Sequence, residues 1–258
     1  MAIRPFLAMT AAEIRGTETL PPKTAWMACH FSPYSTGLSN LPKALSPGSM
    51  VILDDITPIH GHDSETIAAQ LCPRLDALKC SGVLLDFQRP GYEEAELLAG
   101  RLSETLPCPV GVSALYGRGL TCPVFLPPAP LDVCLVNYLA PWQGREIWLE
   151  LALDGETITL TPAGATTAPL PPAAQLLGGH RDEKLHCHYQ IHTDADSARF
   201  TLFRTPEDLD ALLTEGESLG VTRAVGLYQE LHGIPQFLTA PESVSYTHLR
   251  AHETAANL

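Results

Sequence analysis

Apolar runs that stop at polar or turn residues recur along this chain, and they predict alternating strands and helices. Trp26–Phe31 reads as a first strand running into a Ser/Pro/Gly loop from Ser32 to Gly48, and Met50–Leu53 as a second ending at Asp54-Asp55. Asp63 suits the N-cap of a helix over Ser64–Leu71, which Pro73 should break or kink. Val83–Phe87 is a third strand, followed by a helix over Tyr92–Leu106 with Leu97, Leu98 and Leu102 on one face. Val110–Leu115 and Cys122–Leu126 follow as strands, joined by a loop too short for much helix.

The rhythm then changes. Ile147–Leu153 and Thr157–Thr161 flank Asp154-Gly155, a strong short hairpin signal, and a Pro-rich loop, Pro162–Pro172, carries the chain onward. Leu185–His192 and Arg199–Arg204 read as a second hairpin around Asp194–Ser197. Thr205-Pro206-Glu207-Asp208 starts a helix with a cap, a proline at the first position and acids in the first turn; it should stop at Gly220. Ala224–Tyr228 is the final strand, ending in Gln229-Glu230. About eight strands precede a crossover. The expected fold class is therefore α/β, a TIM-like (β/α)8 barrel with reduced helices and an antiparallel β-hairpin insertion over about 147–204. An open doubly wound sheet with a separate small sheet is the competing architecture.

Composition narrows the classes. The 258 residues are 45% hydrophobic and 17% charged, as in an ordinary globular chain able to bury a full core. A formal net charge of −13 repels phosphate backbones, so nucleic acid is not an expected partner. No apolar run approaches the roughly 20 residues a membrane-spanning helix needs, and Met1–Phe6 does not read as a signal peptide. Seven cysteines with no Cys-x-x-Cys suit reduced thiols in a cytoplasm. No phosphate-cradling Gly-rich motif is present, and no cofactor is expected. Val244–Thr254 resembles the translated read-through of a sequencing adapter, so 243–258 is left out of fold reasoning and the barrel-like domain is placed over 1–242.

In α/β barrels the chemistry sits at the C-terminal ends of the strands. The residues there are His30, Ser32 and Tyr34; Asp54 and Asp55; Asp86, Gln88 and Arg89; Ser113 and Tyr116; and Tyr228 with Glu230. Carboxylates, amide, aromatics and hydroxyls suit a polar sugar ring better than an apolar ligand, and each also suits the capping of a neighbouring loop. Gly82-Val83-Leu84-Leu85-Asp86-Phe87-Gln88-Arg89-Pro90 is the sharpest stretch, because strand alternation points Asp86 and Gln88 the same way. It resembles the fourth-strand signature of family 18 glycoside hydrolases, an acidic alternation closing on a glutamic acid. Ser81 and Leu84 hold the first two acidic places, Asp86 the third, and Gln88 stands where the resemblance implies the proton donor. The resemblance further implies a helix-poor barrel with an added antiparallel subdomain, and that Asp86 orients an acetamido group whose carbonyl is the nucleophile. An amide does not titrate usefully, so Gln88 cannot donate that proton. Either Glu230, Asp54 or Asp55 does, or the protein binds sugars without cleaving them.

Histidines form the competing constellation. His60, His62 and Asp63 follow the second strand, and His186, His188, Gln190 and His192 line one face of a predicted strand. Alternate histidines can chelate zinc, as a metal-dependent hydrolase would require, and the same alternation describes a half-exposed antiparallel strand. The cysteines read as small core residues. Trp142 lies in a loop where it can stack on a sugar face or cover the core rim. The expected ligand is a small molecule or oligosaccharide, bound or cleaved around Asp86. A non-catalytic protein-interaction module is the third class, favoured if the barrel mouth is filled by side chains.

Overall fold

The computed structural model describes residues 3–59, 61–91, 93–170 and 179–238. His60, Tyr92, Pro172 and the adapter-like tail 243–258 therefore lie outside the described residues. The chain forms a closed ring of parallel strands: β1 (Phe6–Met9), β2 (Thr24–Phe31), β4 (Met50–Asp54), β5 (Gly82–Asp86), β6 (Val110–Ser113), β7 (Val124–Leu126), β8 (Ile147–Leu151) and β14 (Val221–Leu227), with β1 pairing both β2 and β14. A two-residue strand, β3 (Leu38–Ser39), adds antiparallel to β2. This is the expected eight-stranded barrel. Phe6–Met9, fully buried, is a strand that the reading of the sequence lacks, and it makes Gly82–Asp86 the fourth of the ring.

Alternation builds two cores from the same strands. Phe6, Met50, Ile52, Leu84, Phe125, Trp148 and Val225 pack inside the barrel. Their neighbours Leu7, Val51, Leu53, Val83, Leu85, Ile147 and Leu149 face outward. The outer cover comes from α2 (Ser64–Leu78), α3 (Glu93–Thr105) and α6 (Pro206–Ser218), with shorter helices α1 (Ala11–Gly16), α4 (Ala114–Gly117), α5 (Leu135–Leu139), α7 (Tyr228–Leu231) and α8 (Pro235–Leu238). Trp148 is fully buried and plugs the lumen. Gly111 makes room for it, since a Cβ there would lie 2.2 Å from the Trp148 ring. Among the described residues no helix is long and apolar enough to cross a membrane.

Local expectations met several corrections. Pro73 does not end α2, which continues to Leu78 because Ile67, Leu71 and Leu75 bury one continuous face. That burial outweighs the roughly 3 kcal/mol an interior proline costs. Leu97 is 58% exposed; the buried stripe of α3 is Ala95, Leu98, Ala99 and Leu102. The Asp154-Gly155 hairpin is absent. Ile147–Leu151 instead pairs parallel with β7 and β14, and Gly155 opens a second sheet.

That sheet is antiparallel, ordered β10 (Gly164–Pro169), β9 (Gly155–Thr161), β13 (Ala198–Phe203), β12 (Cys187–Thr193) and β11 (His180–Asp182). Gly164–Pro169, read as part of a loop, is a strand because its Ala and Thr residues register against β9. The turn at Asp194–Ser197 and the helix start at Thr205 form as expected. Thr205 and Asp208 make a reciprocal capping box, and Gly220 takes a φ of 98° just past the end of α6.

Candidate active site at the barrel mouth

The C-terminal end of the barrel opens into a cavity of about 270 Å3. Leu84, Phe125 and Val225 line it with apolar atoms, and Asp54, Asp55, Asp86, Gln88 and Glu150 supply the polar groups. A second, wider groove of about 560 Å3 shares Gln88 and Phe125 with it and continues past Ser113 and Arg118 to Trp142. The mouth is thus not filled by side chains, which was the condition for the interaction-module reading.

Strand alternation delivers the carboxylates. Ile52, Leu84 and Trp148 face the lumen, so Asp54, Asp86 and Glu150, two residues further along each strand, face the mouth. The segment after β5 is held from four sides. The Gln88 and Arg89 backbone amides donate to Asp55 at 3.0 and 2.9 Å. Ser113 Oγ donates to the Phe87 carbonyl at 2.6 Å, and Tyr116 donates its hydroxyl to the Arg89 carbonyl. Arg89 reaches back with its guanidinium to the Ile56 carbonyl. Gln88 in turn donates its side-chain amide to Asp86.

These contacts sort the expected site residues. Asp86, Gln88, Asp54 and Asp55 meet around one cavity, and Trp142 lines the adjoining groove. His30 stands beside them with Nδ1 2.8 Å from both carboxylate oxygens of Asp54, which also accepts the Ile56 amide at 3.1 Å. Tyr116 and Arg89 brace the loop behind the cavity. Tyr34 is 95% exposed, away from it. Tyr228 packs into the outer core and against His232, and Glu230 lies exposed on α7 without lining either cavity. Glu150 was missed. Its signal was an acid two residues after a tryptophan in an apolar run, hidden while Ile147–Leu153 read as half of a hairpin.

Burial raises the Asp86 carboxyl above the ordinary range; the Gln88 amide opposes this and the Asp54 and Asp55 charges add to it. Burial likewise raises Glu150, to about 7, helped by the charges of Asp86, Asp154 and Glu230. Partial desolvation raises Glu230, against the Leu153 amide and with the Asp154 charge. A closely spaced carboxylate group in an apolar-walled site is the usual way to keep one acid protonated near neutral pH.

Among the described residues the histidines do not converge. His186 lies before β12 with a φ of 48° rather than on the strand, and its ring pairs with Glu215. His188 Nδ1 lies 2.8 Å from Asp208, and His62 packs edge-on against Phe31 at 4.9 Å between centroids. Among the described residues no group of three or more His, Cys, Asp or Glu side chains is arranged to hold a metal ion. Burial pushes the thiols of Cys29 to about 12 and of Cys187 to about 11, as expected of cysteines that act as core residues.

No protein-family model matches the sequence, and no curated protein matches it. Solved structures do share the fold. A glycoside hydrolase family 18 N-acetylglucosaminidase from Paenibacillus barengoltzii is similar with a TM-score of 0.55 at 11% identity, covering 87% of this chain and 94% of that one. The spore cortex-lytic enzyme SleL of Bacillus cereus gives 0.54 at 9% identity, covering 92% and 74%. A chitinase from Chromobacterium violaceum gives 0.52 at 11%, covering 86% and 93%. At these identities the likeness is one of fold. The resemblance read from residues 81–90 is met at that level: a helix-poor, glycoside hydrolase-like barrel with an added antiparallel sheet.

Proposed function

We propose that the barrel mouth binds a glycan containing N-acetylated amino sugars, with Asp86 orienting the acetamido group and Gln88 hydrogen-bonding the ligand. The observation that carries this reading is the Asp86–Gln88 pair, joined by a hydrogen bond and lining a cavity with an apolar floor. A sugar ring has apolar faces and polar edges, and this cavity has the same two parts. The groove beyond Gln88 gives room for a second ring; Trp142 at its far end packs against the outer core with Arg118 and Arg145 over its ring at 5.8 and 5.7 Å, so it acts as a wall of the groove. The fold likeness to structures named as an N-acetylglucosaminidase, a chitinase and a spore cortex-lytic enzyme agrees with this class of ligand. Fold alone does not assign it, because barrels host unrelated chemistries.

Titration calorimetry with N-acetyl-chitooligosaccharides tests the proposal. Binding should weaken at least tenfold, about 1.4 kcal/mol, in Asp86→Ala. A thermal-shift assay should report the same ligand, since binding to the folded state stabilises by about 2.7 kcal/mol at a hundredfold excess over Kd. Equal binding by Asp86→Ala and the unaltered protein would sink the reading. The metal-dependent alternative loses ground because His186 and His188 are committed to separate carboxylates.

A further inference from the structure

We infer that Glu150 supplies the proton that Gln88 cannot, placing the general acid on the seventh strand of the ring rather than after the fourth. The inference rests on the glycan reading of the same mouth and extends it from binding to cleavage.

The geometry argues by elimination among the acids of the mouth. Asp55 is occupied by two backbone amides, Asp54 by His30 and the Ile56 amide, and Asp86 by Gln88. Glu230 sits outside the cavity. Glu150 lines it, and among the described residues no hydrogen bond or ion pair ties its carboxyl down. A regular strand fixes its position, with Trp148 packed beneath it on the same face. Such a carboxyl is held in place by the backbone and left open toward the ligand.

The surroundings agree. The charged and titratable groups that act on Glu150 or share its cavity are Asp86 on β5, Asp54 and Asp55 at the end of β4, Asp154 after β8, Glu230 on α7 and the Tyr138 hydroxyl on α5. Its carboxyl, raised to about 7, therefore holds a proton in a large share of molecules at neutral pH. Asp86 lies across the same cavity, where it serves as acceptor for the acetamido N–H.

The step balances with water as the only co-reactant. Glu150 gives its proton to the glycosidic oxygen as the bond from that oxygen to the anomeric carbon breaks. The acetamido carbonyl oxygen closes on that carbon, with its N–H donated to Asp86. Water then adds to the carbon and leaves its proton on the Glu150 carboxylate, and the acetamido group is restored.

The test uses the whole chain with N-acetyl-chitooligosaccharides and their 4-methylumbelliferyl glycosides, measuring calorimetric binding and turnover on the same samples. The unaltered protein should hydrolyse them with activity falling as pH rises through about 7. Glu150→Gln should bind within about twofold, lose about 10²–10⁴-fold in kcat, and lose that alkaline limb. Its loss should be greater on the underivatised oligosaccharide, whose alcohol leaving group needs protonation more than methylumbelliferone does. A Glu150→Gln protein that turns over at the original rate overturns the inference, as does an unaltered protein that binds these sugars without cleaving them. If the unaltered protein does not bind them at all, the glycan reading falls as well, and calorimetry tells that failure from the other.

Discussion

Asp55 illustrates how one side chain sets the geometry of the mouth without offering itself to a ligand. It is buried, and both its oxygens accept backbone amides from the turn that presents Gln88. Replacing it with alanine leaves two amides without acceptors, a cost on the order of 2–4 kcal/mol. Urea unfolding of Asp55→Ala should show that loss, and the proposed sugar binding should weaken with it because Gln88 is no longer held. A loss within about 0.5 kcal/mol, the range of an ordinary surface change, would mean that Ser113 and Tyr116 suffice to hold the turn. At Gln88 the residue type itself decides the chemistry. An amide can donate to Asp86 but cannot release a proton, so under the proposed function this position recognises the ligand and does not protonate it.

At the scale of elements, the second sheet is fastened to the barrel through Asp208 in the first turn of α6. Its side chain has no exposure, yet it accepts from Arg181 Nε at 2.9 Å, His188 Nδ1 at 2.8 Å and both the amide and hydroxyl of Thr205. Burial alone would raise its carboxyl, but the bonds from Thr205, Arg181 and His188 together hold it below the usual range. A carboxylate lowered in the folded state contributes stability above its unfolded pKa, and that contribution is lost as pH falls through the folded value. Asp208→Asn should therefore destabilise the protein by on the order of 2–4 kcal/mol at neutral pH. It should also flatten the acid limb of a plot of Tm against pH. An unchanged acid limb would assign that limb to other carboxylates.

Across the whole molecule the lumen is a column of distinct layers. Arg4, Lys23 and Arg223 gather at the N-terminal end, where Arg223 lies 4.5 Å from the Trp148 ring centroid and burial with the two arginine charges lowers Lys23. Trp148 and its neighbours form the apolar plug, and the carboxylates crowd the mouth. Burying these charges, and then crowding them, has a thermodynamic cost. A carboxyl raised in the folded state favours folding while protonated, and stability falls as pH rises from its unfolded pKa through its folded one, here from about 4.5 to about 7 for Glu150. Glu150→Gln removes that penalty. It should raise Tm at pH 8, by an equivalent on the order of 1–3 kcal/mol, and leave Tm near pH 4 almost unchanged. The substitution proposed to lower turnover would then stabilise the fold, the trade expected where a functional group is held at a cost in stability. A Glu150→Gln protein no more stable at pH 8 would show that the mouth tolerates its charge.

The sequence by itself determined the strand rhythm, the barrel, the antiparallel addition, the capped start of α6 and the shared direction of Asp86 and Gln88. Each is a local signal: an apolar run of strand length, a cap, or two side chains separated by one residue. What it left open required contacts between distant segments. Phe6–Met9 is a strand only because β2 and β14 flank it, and Ile147–Leu151 joins the ring rather than a hairpin because β7 and β14 offer parallel partners. Asp55 became a brace and Glu150 a cavity acid only through barrel closure, which brought Gln88 and Arg89 to one and Asp86 across from the other. Periodicity states which way a side chain points from its own strand. The ring of eight strands decides what it points at.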